Sequence, residues 1–467
     1  MSEEKKRVIP MQALILVLVA VSIIIFGIKV VAAPTAIILL FDGVVIITLS
    51  ALFGIKYSDM QADIVKCISS MMIPILIVLS VGMLVGAWML SGTVPIMIYY
   101  GMKIISPSIF LAAACIVCTL MSVMAGTSWG TISTVGVAFM GISAGLNIPL
   151  EYTAGAIVVG AIFGDKLSPL SDSTVLAAAV SDIEIFDGVK HTLKSTGPAY
   201  LISLIIFIIL GMRFKEGFVG GEDYDLIIST LNTNFNLNPI LLLPPILVFG
   251  LILMKKPTLP VFTVGILAGS ILALIFQGVS VTDVALALNK GYTNSCGIEV
   301  VDKMLQRGGL SSMLSTVALL IASGVFGAPL RTAGVIDIMM DKITDVAKSP
   351  KSMATGILGL HGIFFVITGS YYVTYSVIGP MVKDLFTRYG LSRKNLARIL
   401  LDTGTGLAPI IPWSVTGVFI ANTLGVPTMK FFLYAPMTWL SIVFSLVYIL
   451  TGFTMVKAET NELEEAV

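Results

Sequence analysis

Apolar runs long enough to cross a bilayer recur from one end of the sequence to the other. They cover 11–31, 33–54, 69–91, 108–125, 152–163 with its continuation, 196–212, 238–254, 258–277, 311–329, 352–370 and 433–453. A spanning helix needs about 20 apolar residues, and in lipid every backbone polar group has to be satisfied inside the protein. A chain patterned this way is expected to be all-α, a polytopic transmembrane protein of about 11–13 spans. Charged residues are 12% of its 467 residues and apolar ones 57%, against roughly 25% charged in a soluble domain. The lipid bilayer is its solvent.

What lies between the runs is short. The most polar stretch, 213–236, reads as an extramembrane linker, and 181–194 and 279–293 as amphipathic connections. Lys5, Lys6 and Arg7 precede an apolar run from Ala13 to Val31 with no small-residue cleavage site after it. It reads as a retained first helix with a cytoplasmic N-terminus. A net charge of +1 gives no field for nucleic acid. Cys115 and Cys118 form a C-x-x-C within IFLAAACIVCTLM, where small helix-packing residues are the plainer explanation. With two histidines, no HExxH, no Ser/His pairing and no nucleotide motif, neither an enzyme nor an ATP-driven pump is indicated, and no bound cofactor is expected.

The sequence repeats itself. Residues 69–97 lie over 311–339 at an offset of 242, with Ser69, Ser70, Met71, Gly82, Gly92, Ile96 and Met97 meeting identical residues. GTSWGTISTVG (126–136) lies over GSYYVTYSVIG (369–379), and GDKLSPLSDSTV (164–175) over GTGLAPIIPWSV (404–415). Chance matches between Leu- and Ile-rich helices are common, but three Gly-containing polar blocks in one order are not. The expected organisation is N-terminal helices 1–68, a first repeat 69–211, a linker with two spans 212–310, a second repeat 311–453 and a tail 454–467. Lys56 and Lys66 precede the first unit, whereas Arg331, Lys342, Lys348 and Lys351 follow the first helix of the second. If basic loops stay inside, the units are inverted, the arrangement that secondary transporters build around a midplane site.

Three blocks place Gly, Pro and hydroxyls at membrane depth, where a broken helix is tolerated only inside protein or beside a polar cavity. In GDKLSPLSDST, Asp165 and Asp172 flank Pro169, with Ser168, Ser171, Ser173 and Thr174 alongside. Carboxylates, hydroxyls and freed carbonyls make the hard oxygen set that suits Na+, so Asp165 and Asp172 are the candidate Na+ ligands. The plainer alternative is a surface loop with Asp165–Lys166 in water and Asp172 as a helix N-cap. GTSWGTIST offers Thr127, Ser128, Thr131, Ser133 and Thr134; its counterpart offers Thr374 and Ser376 among Ser370, Tyr371, Tyr372 and Tyr375. Helix packing by small residues explains these blocks equally well. In LDTGTGLAPIIPWSVTG, Asp402, Trp413 and Ser414 join the candidate site, although Arg398, four residues before Asp402, offers a simple ion pair. Asp42 and His361 are isolated ionisable residues inside apolar runs, each open to a functional or a structural explanation.

GTSWGT, FGDKLSPLSDST, TGPAYLIS (196–203) and APIIPWSVTG together resemble the NhaC family of sodium/proton antiporters, a branch of the larger ion-transporter superfamily. The resemblance covers nearly the whole chain. It implies exchange of Na+ for H+ by alternating access in the cell membrane of a prokaryote, with Asp165 and Asp172 as the leading site residues. The family also contains Na+-coupled malate/lactate exchangers and amino-acid carriers, so a small organic anion or amino acid is the alternative substrate. Relatives carry Ser and Asn where this chain has Ala408 and Ser414, which leaves the second half-site open. A homodimer is allowed.

Overall fold

Apolar sequence punctuated by glycine and proline gives helices that end inside the membrane as well as at its faces. The computed structural model describes residues 7–31, 33–214, 222–254 and 256–459. Lys5, Lys6, Lys255, part of the 213–236 linker and the last residues of the tail lie outside them. The described chain is helical throughout, with one isolated bridge between Leu391 and Lys457. Among the described residues, eight helices are long and apolar enough to cross a membrane, or ten when each of two bent pairs counts as one span. The expected span count runs higher because some apolar stretches end at helix breaks.

Two sequence boundaries shift. Residues 181–194 and 196–212 were expected to be separate, but Ile185–Gly211 is one helix of 27 residues with Pro198 inside it. Pro198 removes one backbone hydrogen bond, and the helix continues through it with Ser195, Thr196, Ala199 and Ser203 packed on one face. The polar linker contains a helix, Glu222–Asn234, whose apolar side buries Ile227 and Leu231.

Helices follow in the same order in the two repeated stretches. Met72–Leu90, Thr93–Ile104 and Pro107–Ala125 are answered by Leu314–Thr332, Val335–Val346 and Pro350–Thr368, and Asp172–Ser181 by Val415–Leu424.

Pro107–Ala125 and Leu150–Leu167 run side by side in one direction, since Gly160 lies on Cys115 and Gly164 on Ser122. After Gly126 the chain doubles back: Ser128 meets Asp165 at the deep end, and Gly145 returns to Met102. This hairpin opens at the end where Gly211 lies against the Ser108 carbonyl. Pro350–Thr368 and Tyr371–Arg388 form a second hairpin, closed at its mouth where Tyr389 donates to the Ala347 carbonyl at 2.9 Å. Its mouth lies beside Asp182, which pairs with Lys383 at 3.2 Å and Arg393 at 3.0 Å. Asp182 and Gly211 sit at opposite ends of the Ile185–Gly211 helix, about 40 Å long at 1.5 Å per residue. The hairpins therefore open toward opposite ends of that helix.

Candidate ion-binding site

Each repeat contains two helix breaks, and in each the breaks touch. In the first, Pro107–Ala125 ends at Gly126 in the left-handed region (φ +65°), and Thr127 turns extended to cap the next helix, accepting from the Gly130 amide at 3.3 Å. A Cβ on Gly126 would sit 2.7–2.9 Å from Leu170, in the other break. The second repeat copies this at Gly369 (φ +66°), which packs on Trp413 and Ser414, while the Val415 amide donates to the Gly369 carbonyl at 3.0 Å. Ser171 and Ser414 are matching N-caps, accepting from the amides of Thr174 and Gly417. Every such end leaves backbone groups without helical partners, and polar side chains gather there.

Around the first pair of breaks the motif closes into a cluster. Asp165 is buried; one oxygen accepts from Ser128 at 2.9 Å, and the other has no hydrogen-bond partner. Thr174 folds back on the carbonyls of Asp165 (3.1 Å) and Lys166 (3.3 Å). Ser168 donates to the Val123 carbonyl at 2.7 Å, tying one break to the other, and Ser171 shares a 3.0 Å hydrogen bond with Ser173. Asp172 is the first residue of its helix rather than the cap; it accepts from the Ser173 amide at 2.8 Å and from the hydroxyl of Tyr372, which belongs to the second repeat. Asp172 is also exposed, facing a cavity of about 310 Å³ that continues past Thr127 and Leu170 to Lys256 and Thr258. A buried carboxylate with a free oxygen and an accessible one beside it, ringed by hydroxyls, is a donor set suited to a small hard cation. The surface-loop alternative fails: Asp165, Lys166, Ser168, Ser171, Ser173 and Thr174 are all buried.

The simple ion pair at Asp402 does not form either. Its partner is Lys166, at 2.7 Å with both side chains at 0% exposure, and its oxygens also accept from Ser195 (2.7 Å) and Thr196 (3.4 Å). Arg398 turns to Thr454 instead, at 2.7 Å. Lys166 therefore does not offset its neighbour Asp165. Beyond Asp402, Thr403 is hydrogen-bonded to His361 Nδ1 at 2.6 Å, and Thr405 binds the Tyr375 hydroxyl at 2.8 Å.

The other candidates are less involved. Thr131 and Thr374 bond back to their own helices at the carbonyls of Thr127 (3.1 Å) and Tyr371 (3.3 Å). Ser376 is exposed, Ser414 donates to the Ala408 carbonyl besides capping its helix, and Trp413 donates to the Val366 carbonyl at 2.6 Å. Arg331 pairs with Asp63 at 3.1 Å. Nor do the second-repeat blocks line the cavity at Asp172. Sequence reasoning missed Ser195 and the roles of Lys166 and Tyr372. The quoted TGPAYLIS block, one residue after Ser195, was the available pointer.

Comparison with known proteins gives consistent results. A sequence profile described as the Na+/H+ antiporter family matches residues 4–179 and 160–453. The chain is 37% identical over 401 residues to the malate-2H+/Na+-lactate antiporter of Bacillus subtilis, covering 86% of this chain and 85% of that one. It is 35% identical over 409 residues to the Na+/H+ antiporter NhaC of Alkalihalophilus pseudofirmus, covering 85% and 87%. It is 30% identical over 397 residues to the arginine/ornithine antiporter ArcD of Halobacterium salinarum, covering 84% and 81%.

Proposed function

The chain belongs to the Na+/H+ antiporter family, and from that premise we propose that it exchanges Na+ for H+ across a prokaryotic plasma membrane by alternating access. The observation that carries this reading is the Asp165–Asp172 cluster, with one carboxyl oxygen unpartnered inside and the second carboxylate open to a cavity. A proton or a Na+ ion can each neutralise such a carboxylate, and one displaces the other. Na+ arriving expels protons, and protons arriving on the far side release Na+. The exchange needs no covalent step and no bound cofactor beyond the transported ions.

Alternating access follows if the repeats are related by a two-fold axis in the membrane plane, with the N-terminus cytoplasmic. Hairpins that open toward opposite ends of the Ile185–Gly211 helix support that relation. Tyr372 on Asp172 is the contact through which movement between the repeats reaches the carboxylate.

Purified protein in liposomes carrying an internal pH dye tests the reading. Na+ added outside is expected to raise the internal pH, and K+ is not; no response to Na+ contradicts it. A second reading, coupled exchange of a small organic anion or amino acid, is favoured by the malate-2H+/Na+-lactate relative and by a cavity near the lower end of the small-ligand range. A response to Na+ only when lactate, malate or arginine is present would select it.

A further inference from the structure

Asp42 takes no part in the exchange site. It lies in the Thr35–Leu52 helix, outside both repeats, and is fully buried with neither carboxyl oxygen hydrogen-bonded. Its stripe-mates Ile38, Leu39 and Ile46 pack into an apolar cluster with Leu319, Ala322 and Phe326 of the Leu314–Thr332 helix. Beside it, Gly43 lets the two backbones touch: a Cβ there would lie 3.0–3.1 Å from Val325, including its carbonyl oxygen. Pro329, four residues on, has no N–H to give that carbonyl. The acid without a partner therefore lies one residue from the point where its helix meets a backbone carbonyl whose usual helical donor is missing.

The one charged side chain of the packed Leu314–Thr332 helix, Arg331, is engaged elsewhere. Arg331 pairs with Asp63 at 3.1 Å, and Asp63 also accepts from Thr332 at 2.8 Å. Asp59, Lys66 and Cys67 share the Asp63 helix, and Pro10–Phe26 carries no charged residue. Among the described residues no cation lies within ion-pair distance of Asp42. Burying a carboxylate without a counter-ion costs far more than burying the neutral acid. A hard cation gathers several oxygens, whereas a proton needs one base and, at most, one acceptor.

We propose that Asp42 is a proton-binding site separate from the Na+ site. Its use during exchange rests on the antiport reading; its occupancy by a proton does not. The test is infrared spectroscopy of the reconstituted protein, wild type minus Asp42→Asn, at neutral pH. The expected difference is the C=O stretch of one protonated carboxylic acid that shifts in D2O, persists in saturating Na+ and vanishes at strongly alkaline pH. Asp42→Leu, which suits the apolar cluster, supplies the same subtraction if Asn is poorly tolerated. No band overturns the proposal, as does a band abolished by Na+, or one that neither shifts in D2O nor titrates. A liposome assay without any Na+ response would sink the antiport reading and leave this band untouched.

Discussion

Removing the amine of Lys166 strands Asp402 as an unpaired carboxylate at zero exposure, which generally costs about 3–5 kcal/mol. Neutralising both partners removes that penalty. Lys166→Met alone is expected to lower the melting temperature in detergent sharply, and Lys166→Met with Asp402→Asn to recover most of the loss. Equal melting temperatures for the single and double variants would show that the stranded Asp402 charge is not the cause of the loss. Asp172→Asn keeps the shape and the Tyr372 contact but cannot carry a proton, so it should fold normally and lose Na+-driven proton movement in liposomes. Wild-type exchange by that variant would move the coupling role to Asp165. The motif residues around Asp165 and Asp172 were readable because hydroxyls, Pro and carboxylates in an apolar sequence have few purposes. The Lys166–Asp402 pair was not, since reasoning from spacing reaches one helical turn, to Arg398, and these partners are far apart in sequence.

At the scale of elements, what matters is where helices stop. Gly126 and Gly369 hold left-handed backbone at deep hairpin turns, and at Gly126 an added Cβ would also strike Leu170. Gly126→Ala should therefore cost more than the roughly 1 kcal/mol of backbone strain alone and should lower exchange with the melting temperature. An Ala variant as stable as wild type would contradict the tight crossing of the breaks. Outside the membrane, the Ser295 hydroxyl and the Cys296 amide hold the Asp302 carboxyl below the usual carboxylate range. The sign follows: this contact stabilises above the ordinary aspartate titration range and is lost as pH falls through the lowered value. Protection of the Cys296 amide, its exchange rate relative to the intrinsic rate at each pH, should thus fall in acid in wild type and be low at all pH in Asp302→Asn. Protection that does not change with pH in wild type would refute the contact. The breaks were legible from Gly and Pro; the continuity of Ile185–Gly211 through Pro198 was not, because tertiary packing overrode a local signal.

For the whole molecule, the arrangement of the two hairpins decides how exchange proceeds. Asn147 and Lys348 are exposed beside the mouths of the first and second hairpins. Single cysteines placed there, in a background lacking the native four, should react with a membrane-impermeant thiol reagent from opposite faces. Reaction from one face would rule out the inverted arrangement. The repeat and the basic loops raise this relation as an expectation from the sequence, whereas the touching breaks and the contact of Tyr372 with Asp172 required the fold. Competition of Na+ and H+ for one carboxylate cluster is tested most directly by the apparent Na+ affinity of exchange as a function of pH. Through the range in which the cluster titrates, that affinity should weaken by about tenfold for each unit of falling pH, in one-proton competition, with the maximal rate little changed. A Na+ affinity that stays constant over the same range would contradict it.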